Sequence, residues 1–295
     1  MQLSAMRMDA IIALMTHEEQ RALDAVRAVI PQLAAAAESV ARVYKSGGRT
    51  IFLGSGTSGR LAAMEIAELP PTFGVSGDRF VAFVAGGPSA GSAAISQSED
   101  DLNAAPAALA GARIGRGDAV IGLAASGTTP FVVAGLRAAR QVGAWTCGIA
   151  NNPATPVLAS ADIGIFLDTG PEVLTGSTRL KAGTAQKLAL NRITTAALVR
   201  SGTVQSNLMV NAAGTNAKLR RRCIRIVRDL TAASETDATA ALEASSWRTR
   251  AAIEKIGNQV MQEARLSQLS QTPDPTGDLI ETVTALPDSR PATGI

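Results

Sequence analysis

Five short runs of mostly aliphatic and β-branched residues, at 50–54, 79–85, 119–124, 145–150 and 163–167, are separated by stretches with helical spacing, and the first four end in Gly or Ala. Strands joined through helices need crossover connections, so the sheet they form is parallel and is covered by helices on both faces. Such a sheet binds ligands at the carboxyl ends of its strands. The chain has 295 residues, which at about 100–200 residues per domain allows one large domain or two ordinary ones.

Helical spacing precedes and follows the alternating region. From His17 to Lys45 apolar residues recur at Leu23, Val26, Val29, Ile30 and Leu33, and Ser46-Gly47-Gly48 closes the pattern. Beyond Leu167 the spacing is helical again at 182–200, 211–230 and 237–265. The last stretch holds Pro273, Pro275, Pro287 and Pro291 among few large apolar residues, which predicts an extended or loosely ordered tail. The expected organisation is an N-terminal helical segment (1–47), a parallel α/β domain (48–230), a small helical region (231–269) and the tail (270–295).

Composition narrows the function. Net charge is only +3, too small to argue for a polyanionic or membrane partner. Lys218, Arg220, Arg221, Arg222, Arg225 and Arg228 do crowd one stretch, but no aromatic residues interleave them for base stacking. They read as a solvated or intersubunit helix face, so no nucleic acid is expected. His17 is the only histidine, which argues against a His-built metal site. Cys147 and Cys223 form no spacing motif and suit a reducing compartment. Residues 1–15 mix apolar side chains with Arg7 and Asp9, unlike a signal peptide, and no run of about 18 apolar residues appears. A cytoplasmic location is expected, without a membrane partner.

The first run leads into Gly54-Ser55-Gly56-Thr57-Ser58-Gly59-Arg60, which satisfies G-x-G-x-x-G before a helix. A dinucleotide site would also need an acidic residue at the end of the second strand to hold the ribose. Here that strand ends in Val84-Ala85-Gly86-Gly87, with no acid. Three hydroxyl residues, Ser55, Thr57 and Ser58, instead suit a phosphate monoester on a helix N-terminus. The third run ends alike, in Ser126-Gly127-Thr128-Thr129-Pro130. On adjacent strands the two loops would share one ligand, although Ser, Thr and Gly also serve as plain turns and caps.

This pair of loops resembles the sugar isomerase (SIS) domain. The block 172–187, with Glu172, Ser177 and Lys181, together with Asn207-Leu208-Met209-Val210 and 215–219, resembles the N-acetylmuramic acid 6-phosphate etherases and the related glucokinase regulatory protein. Residues 54–74 resemble the etherases in particular. The resemblance covers about residues 15–265. It implies an SIS-type five-stranded sheet and a homodimer. It also implies a cofactor-free and metal-free lyase that removes D-lactate from C3 of the phosphosugar. Phosphosugar binding would fall to Ser55, Gly56, Thr57, Ser58, Ser126, Gly127, Thr128, Thr129, Glu172, Ser177 and Lys181.

The same resemblance aligns Glu68 with the family's proton donor and Glu99 with its second catalytic glutamate. Glu68 precedes Pro70-Pro71, which should end its helix, and a negative charge in a last turn is disfavoured by the macrodipole. Glu65, one turn earlier, adds like-charge repulsion. By residue type alone, the acidic run around Glu99 reads as a solvated helix face. Four positions depart from the family's pattern: Glu65 stands for Asp, Ser96 for Glu, Thr128 for Arg and Asn211 for Asp. Two other readings keep the same phosphate loops: an aldose–ketose isomerase, and a non-catalytic phosphosugar sensor.

Overall fold

The computed structural model describes residues 2–87 and 96–270. The expected tail thus falls almost wholly outside the described residues. Three helices, α1 (Met8–Glu18), α2 (Gln20–Ala28) and α3 (Ile30–Lys45), take the place of the single helical stretch read from the spacing. Pro31 explains one break: it sits in the first turn of α3, where its missing N–H costs nothing.

The strands β1 (Thr50–Gly54), β2 (Phe80–Val84), β3 (Ala119–Leu123), β4 (Trp145–Ala150) and β5 (Ile163–Phe166) fall within the five runs. All pair in parallel, in the order β2-β1-β3-β4-β5. Between them run α4 (Gly56–Phe73), a 3-10 turn (Ser96–Asp100), α5 (Ala104–Gly111), α6 (Pro130–Gln141) and α7 (Pro156–Ala159). α8 (Lys181–Arg200), α9 (Ala217–Thr231), α10 (Glu235–Ala244) and α11 (Thr249–Ser270) follow.

Alternation along the strands feeds two cores. Phe52, Ile121 and Ile149 pack with Leu190 and Ile193 of α8 and with α3, whereas Ile51, Leu53 and Val120 face Val132 and Leu136 of α6. A third cluster joins Cys223 and Val227 of α9 to Leu242 of α10 and Ala252 of α11. Among the described residues, no helix is long and apolar enough to cross a membrane.

At the amino ends of the central strands, Arg49 clasps Asp118. The guanidinium donates to Asp118 Oδ2 at 2.9 Å and to the Ala112 carbonyl at 2.9 Å, and the Arg49 backbone N–H donates to Asp118 Oδ1. Burial opposes ionisation of Asp118. Hydrogen bonds from Arg49 and from the Gly115 N–H outweigh it, and hold the carboxyl below the usual carboxylate range.

The chain reverses its direction of travel across the sheet between β1 and β3, whose ends lie in register with Gly54 beside Leu123. Both hydroxyl-rich loops therefore leave the sheet at its topological switch point.

Candidate active site

At the end of β1 the chain turns sharply into α4. A Cβ at Gly59 would lie 2.7 Å from the Gly54 carbonyl oxygen, and one at Gly54 would lie 2.6 Å from the Gly59 nitrogen. Only two glycines allow this approach, which brings the first turn of α4 against the strand end. Ser55 occupies the N-cap position, but its side chain does not cap the helix. Its hydroxyl donates instead to Glu99 Oε2 at 3.2 Å, so the first N–H groups of α4 are left for another acceptor.

The second loop is held as firmly. Gly127 has φ +74°, its carbonyl accepts from the Val157 N–H, and a Cβ there would strike the Thr155 side chain. Asn152 donates to the Ala125 carbonyl at 3.2 Å, and the Thr128 N–H donates to Ser126 Oγ at 3.3 Å.

Together the two loops line a cavity of about 420 Å³. Its wall carries Ser55, Gly56, Thr57, Ser58, Ser126, Thr128 and Thr129, with Glu99 and Asp100 at the rim and Gly176 and Thr178 closing one side. No Lys or Arg is among these lining residues. An anion entering it would meet hydroxyls and the N-termini of α4 and α6. Among the described residues, no cluster of three or more His, Cys, Asp or Glu is placed to hold a metal ion.

Of the residues expected to bind phosphate, Gly127 shapes the loop and does not line the cavity. Glu172 accepts from the Ala182 N–H at 2.9 Å and caps α8. Ser177 is half-buried, its N–H bonded to the Leu174 carbonyl, and its neighbours Gly176 and Thr178 face the cavity instead. Lys181 is 2% exposed and pairs with Glu18 of α1. That contact spends its charge on anchoring the N-terminal helices, and it lowers the Glu18 carboxyl below its usual range. Spacing within the block could not reveal this, because Glu18 lies far away in sequence.

Glu68 stands elsewhere. It is exposed in a separate groove of about 640 Å³ between α4 and α8, with Glu65, Lys187 and Asn191. Glu65 is 5% exposed and accepts hydrogen bonds from Asn191 and, at 2.5 Å, from Thr194 Oγ1. Those partners on α8 are a feature the sequence reading missed. The expected helix end at Pro70 is also corrected: α4 continues through both prolines to Phe73, where Gly74 in the left-handed region accepts the turn. Glu68 is therefore not in the last turn, where the macrodipole would act on it most strongly. Ten residues separate Ser58 from Glu68 on one helix, a rise of about 15 Å. Glu68 and Glu99 line different cavities of the chain.

The other departures are also located. Asn211 accepts from Arg250 Nε at 2.6 Å and packs its backbone against Gly74, at the end of α4. Ser96 opens the 3-10 turn that carries Glu99.

Comparison with known proteins agrees with this layout. The family model of the glucokinase regulatory protein N-terminal SIS domain matches residues 32–140, and that of the SIS domain matches residues 101–196. A phosphoheptose isomerase from Francisella tularensis shares the fold, with TM-score 0.51 and 15% identity, over 64% of this chain and 96% of that one. An N-acetylmuramic acid 6-phosphate etherase of Deinococcus radiodurans is 45% identical over 251 residues, 84% of this chain and 82% of the relative. One of Salmonella choleraesuis is 43% identical over 86% of this chain and 85% of the relative. The chain belongs to the N-acetylmuramic acid 6-phosphate etherase family.

Proposed function

We propose that this protein is a carbon–oxygen lyase that removes the D-lactyl ether from C3 of N-acetylmuramic acid 6-phosphate, giving N-acetylglucosamine 6-phosphate and D-lactate. The observation that carries the reading is the cavity at the β1/β3 switch point, which joins two hydroxyl-rich loops to a carboxylate at its rim. The likeness to the etherases over most of the chain supports the same substrate.

The phosphate sits on the loops 55–58 and 126–129. In the open-chain sugar the C1 aldehyde acidifies the C2 proton, and we assign its removal to Glu99 at the rim. The electrons of the C2–H bond form the C2–C3 double bond as the C3–O bond breaks. Glu68 gives a proton to the departing lactyl oxygen. Water then adds across the unsaturated aldehyde, its oxygen to C3 and a proton to C2, which restores the amino sugar.

Because Glu68 lines a groove separate from the cavity that Glu99 borders, we place the partner's Glu68 in this role, in a homodimer. The groove around Glu68 offers the surface for such a pairing: Met64 is 49% and Val199 44% exposed beside the buried Leu69 and Phe73. Release of D-lactate from N-acetylmuramic acid 6-phosphate, without added metal, tests the activity. Turnover abolished by Glu68→Gln is expected. Binding of a hexosamine 6-phosphate with no lactate released would overturn the lyase and leave an isomerase or a sensor.

A further inference from the structure

The cations of α9 divide into two kinds. Arg220 stacks over the Trp247 ring at 4.6 Å and donates to the Gly214 carbonyl, and Arg228 pairs with Glu235 at 3.1 Å. Lys218, Arg221, Arg222 and Arg225 have no ion-pair partner among the described residues. Their spacing of i, i+3, i+4 and i+7 puts these four on one helical face. That face lines a cavity of about 420 Å³, in which, among the described residues, Asp229 is the only acid.

Four unpaired cations crowded over two turns repel one another, and the three guanidiniums keep their charge at any physiological pH. The floor beneath them is apolar, from Met209 and the buried Ile226. Low-dielectric walls around one sign of charge concentrate the field on whatever enters. This is the opposite design to the cavity between the phosphate loops, whose lining holds no cation.

We infer that the α9 cavity is a second anion site, separate from the phosphate loops, and that it takes a small molecule carrying two or more phosphate or carboxylate groups. Its volume lies in the range of small-ligand pockets. Guanidiniums offer forked donors that match phosphate and carboxylate oxygens two at a time. No aromatic side chain lines the cavity to stack a base, which sets nucleic acid aside. The cavity shares Asn207 and Met209 with the Glu68 groove, so an occupant would lie against the surface proposed to receive the second copy. The site does not depend on the lyase reading.

Calorimetric titration of the full chain with inorganic pyrophosphate, at physiological ionic strength, tests the assignment. Arg221 and Arg225 are both exposed, so the R221Q/R225Q variant is expected to keep its melting temperature. It should bind pyrophosphate at least about tenfold more weakly, having lost two charge-assisted contacts. The S55A/S126A variant, altered in the other cavity, should retain this binding. Unchanged affinity in R221Q/R225Q, or loss confined to S55A/S126A, would overturn the proposal. So would sedimentation showing that R221Q/R225Q separates a dimer while pyrophosphate binding stays the same, since the face would then be a subunit contact.

Discussion

The two cavities flanking α4 use the same helix in contrasting ways. At its amino end, Gly56, Thr57 and Ser58 present backbone N–H groups and hydroxyls to a polar cavity fixed by glycine contacts too close for any Cβ. Further along, Met64, Leu69 and Phe73 make a wider apolar groove in which Glu68 and Lys187 are the exposed charged groups. On the reading proposed above, one end binds the phosphate and the other delivers a proton across a subunit contact.

Replacing the carboxylates is the strongest way to break this contrast. Glu68→Gln and Glu99→Gln should each lower D-lactate release by about 10²–10⁴-fold, the usual worth of a general acid or base. Glu68→Gln should leave phosphosugar affinity largely intact, because the phosphate contacts come from the two hydroxyl-rich loops. A variant with weakened binding and unaltered turnover at saturation would merge the two regions. Gly59→Ala comes next: its Cβ would press on the Gly54 carbonyl and on Val84, an overpacking that costs about 1–3 kcal/mol. Urea unfolding should show that loss, and the phosphate loop should weaken with it. Ser126→Ala should raise the dissociation constant for N-acetylglucosamine 6-phosphate by about fivefold, near 1 kcal/mol for one hydrogen bond, and leave the melting temperature alone.

The smallest effect is a control at the opposite end of the sheet. Asp118 has its folded pKa depressed, so the stability from its ionised form is present above its unfolded value of about 3.9 and is lost as pH falls through the folded value. Asp118→Asn should therefore reduce stability near neutral pH by about 1 kcal/mol, after allowance for the partly exposed Arg49, and flatten the acid limb of the stability curve. Phosphosugar binding at neutral pH should not change.

Much of the fold could be read from local signals. Each strand is a compact apolar run, and both phosphate loops announce themselves by Gly and hydroxyl residues directly after such a run. What escaped depends on distant partners or on tolerance of a rule. Prolines usually close a helix, yet α4 absorbs Pro70 and Pro71 and ends three residues after Pro70 at Phe73. Lys181 looked free to reach an anion, but Glu18 holds it. The apolar face of α9 turns to α10 and α11, contacts that spacing along α9 alone does not reveal. The separation of Glu68 from Glu99 was invisible in sequence, because an alignment of motifs carries no distance.

If each working site draws Glu99 from one chain and Glu68 from another, mixing two inactive variants restores activity. Glu68→Gln and Glu99→Gln chains, each without activity alone, are dissociated, mixed in equal amounts and allowed to reassociate. Random pairing in a two-fold dimer makes half the dimers mixed, each with one intact site, so D-lactate release should recover to about a quarter of the wild-type rate. If both glutamates acted within a single chain, no mixed dimer would contain an intact site. A mixture as inactive as its components would contradict the account.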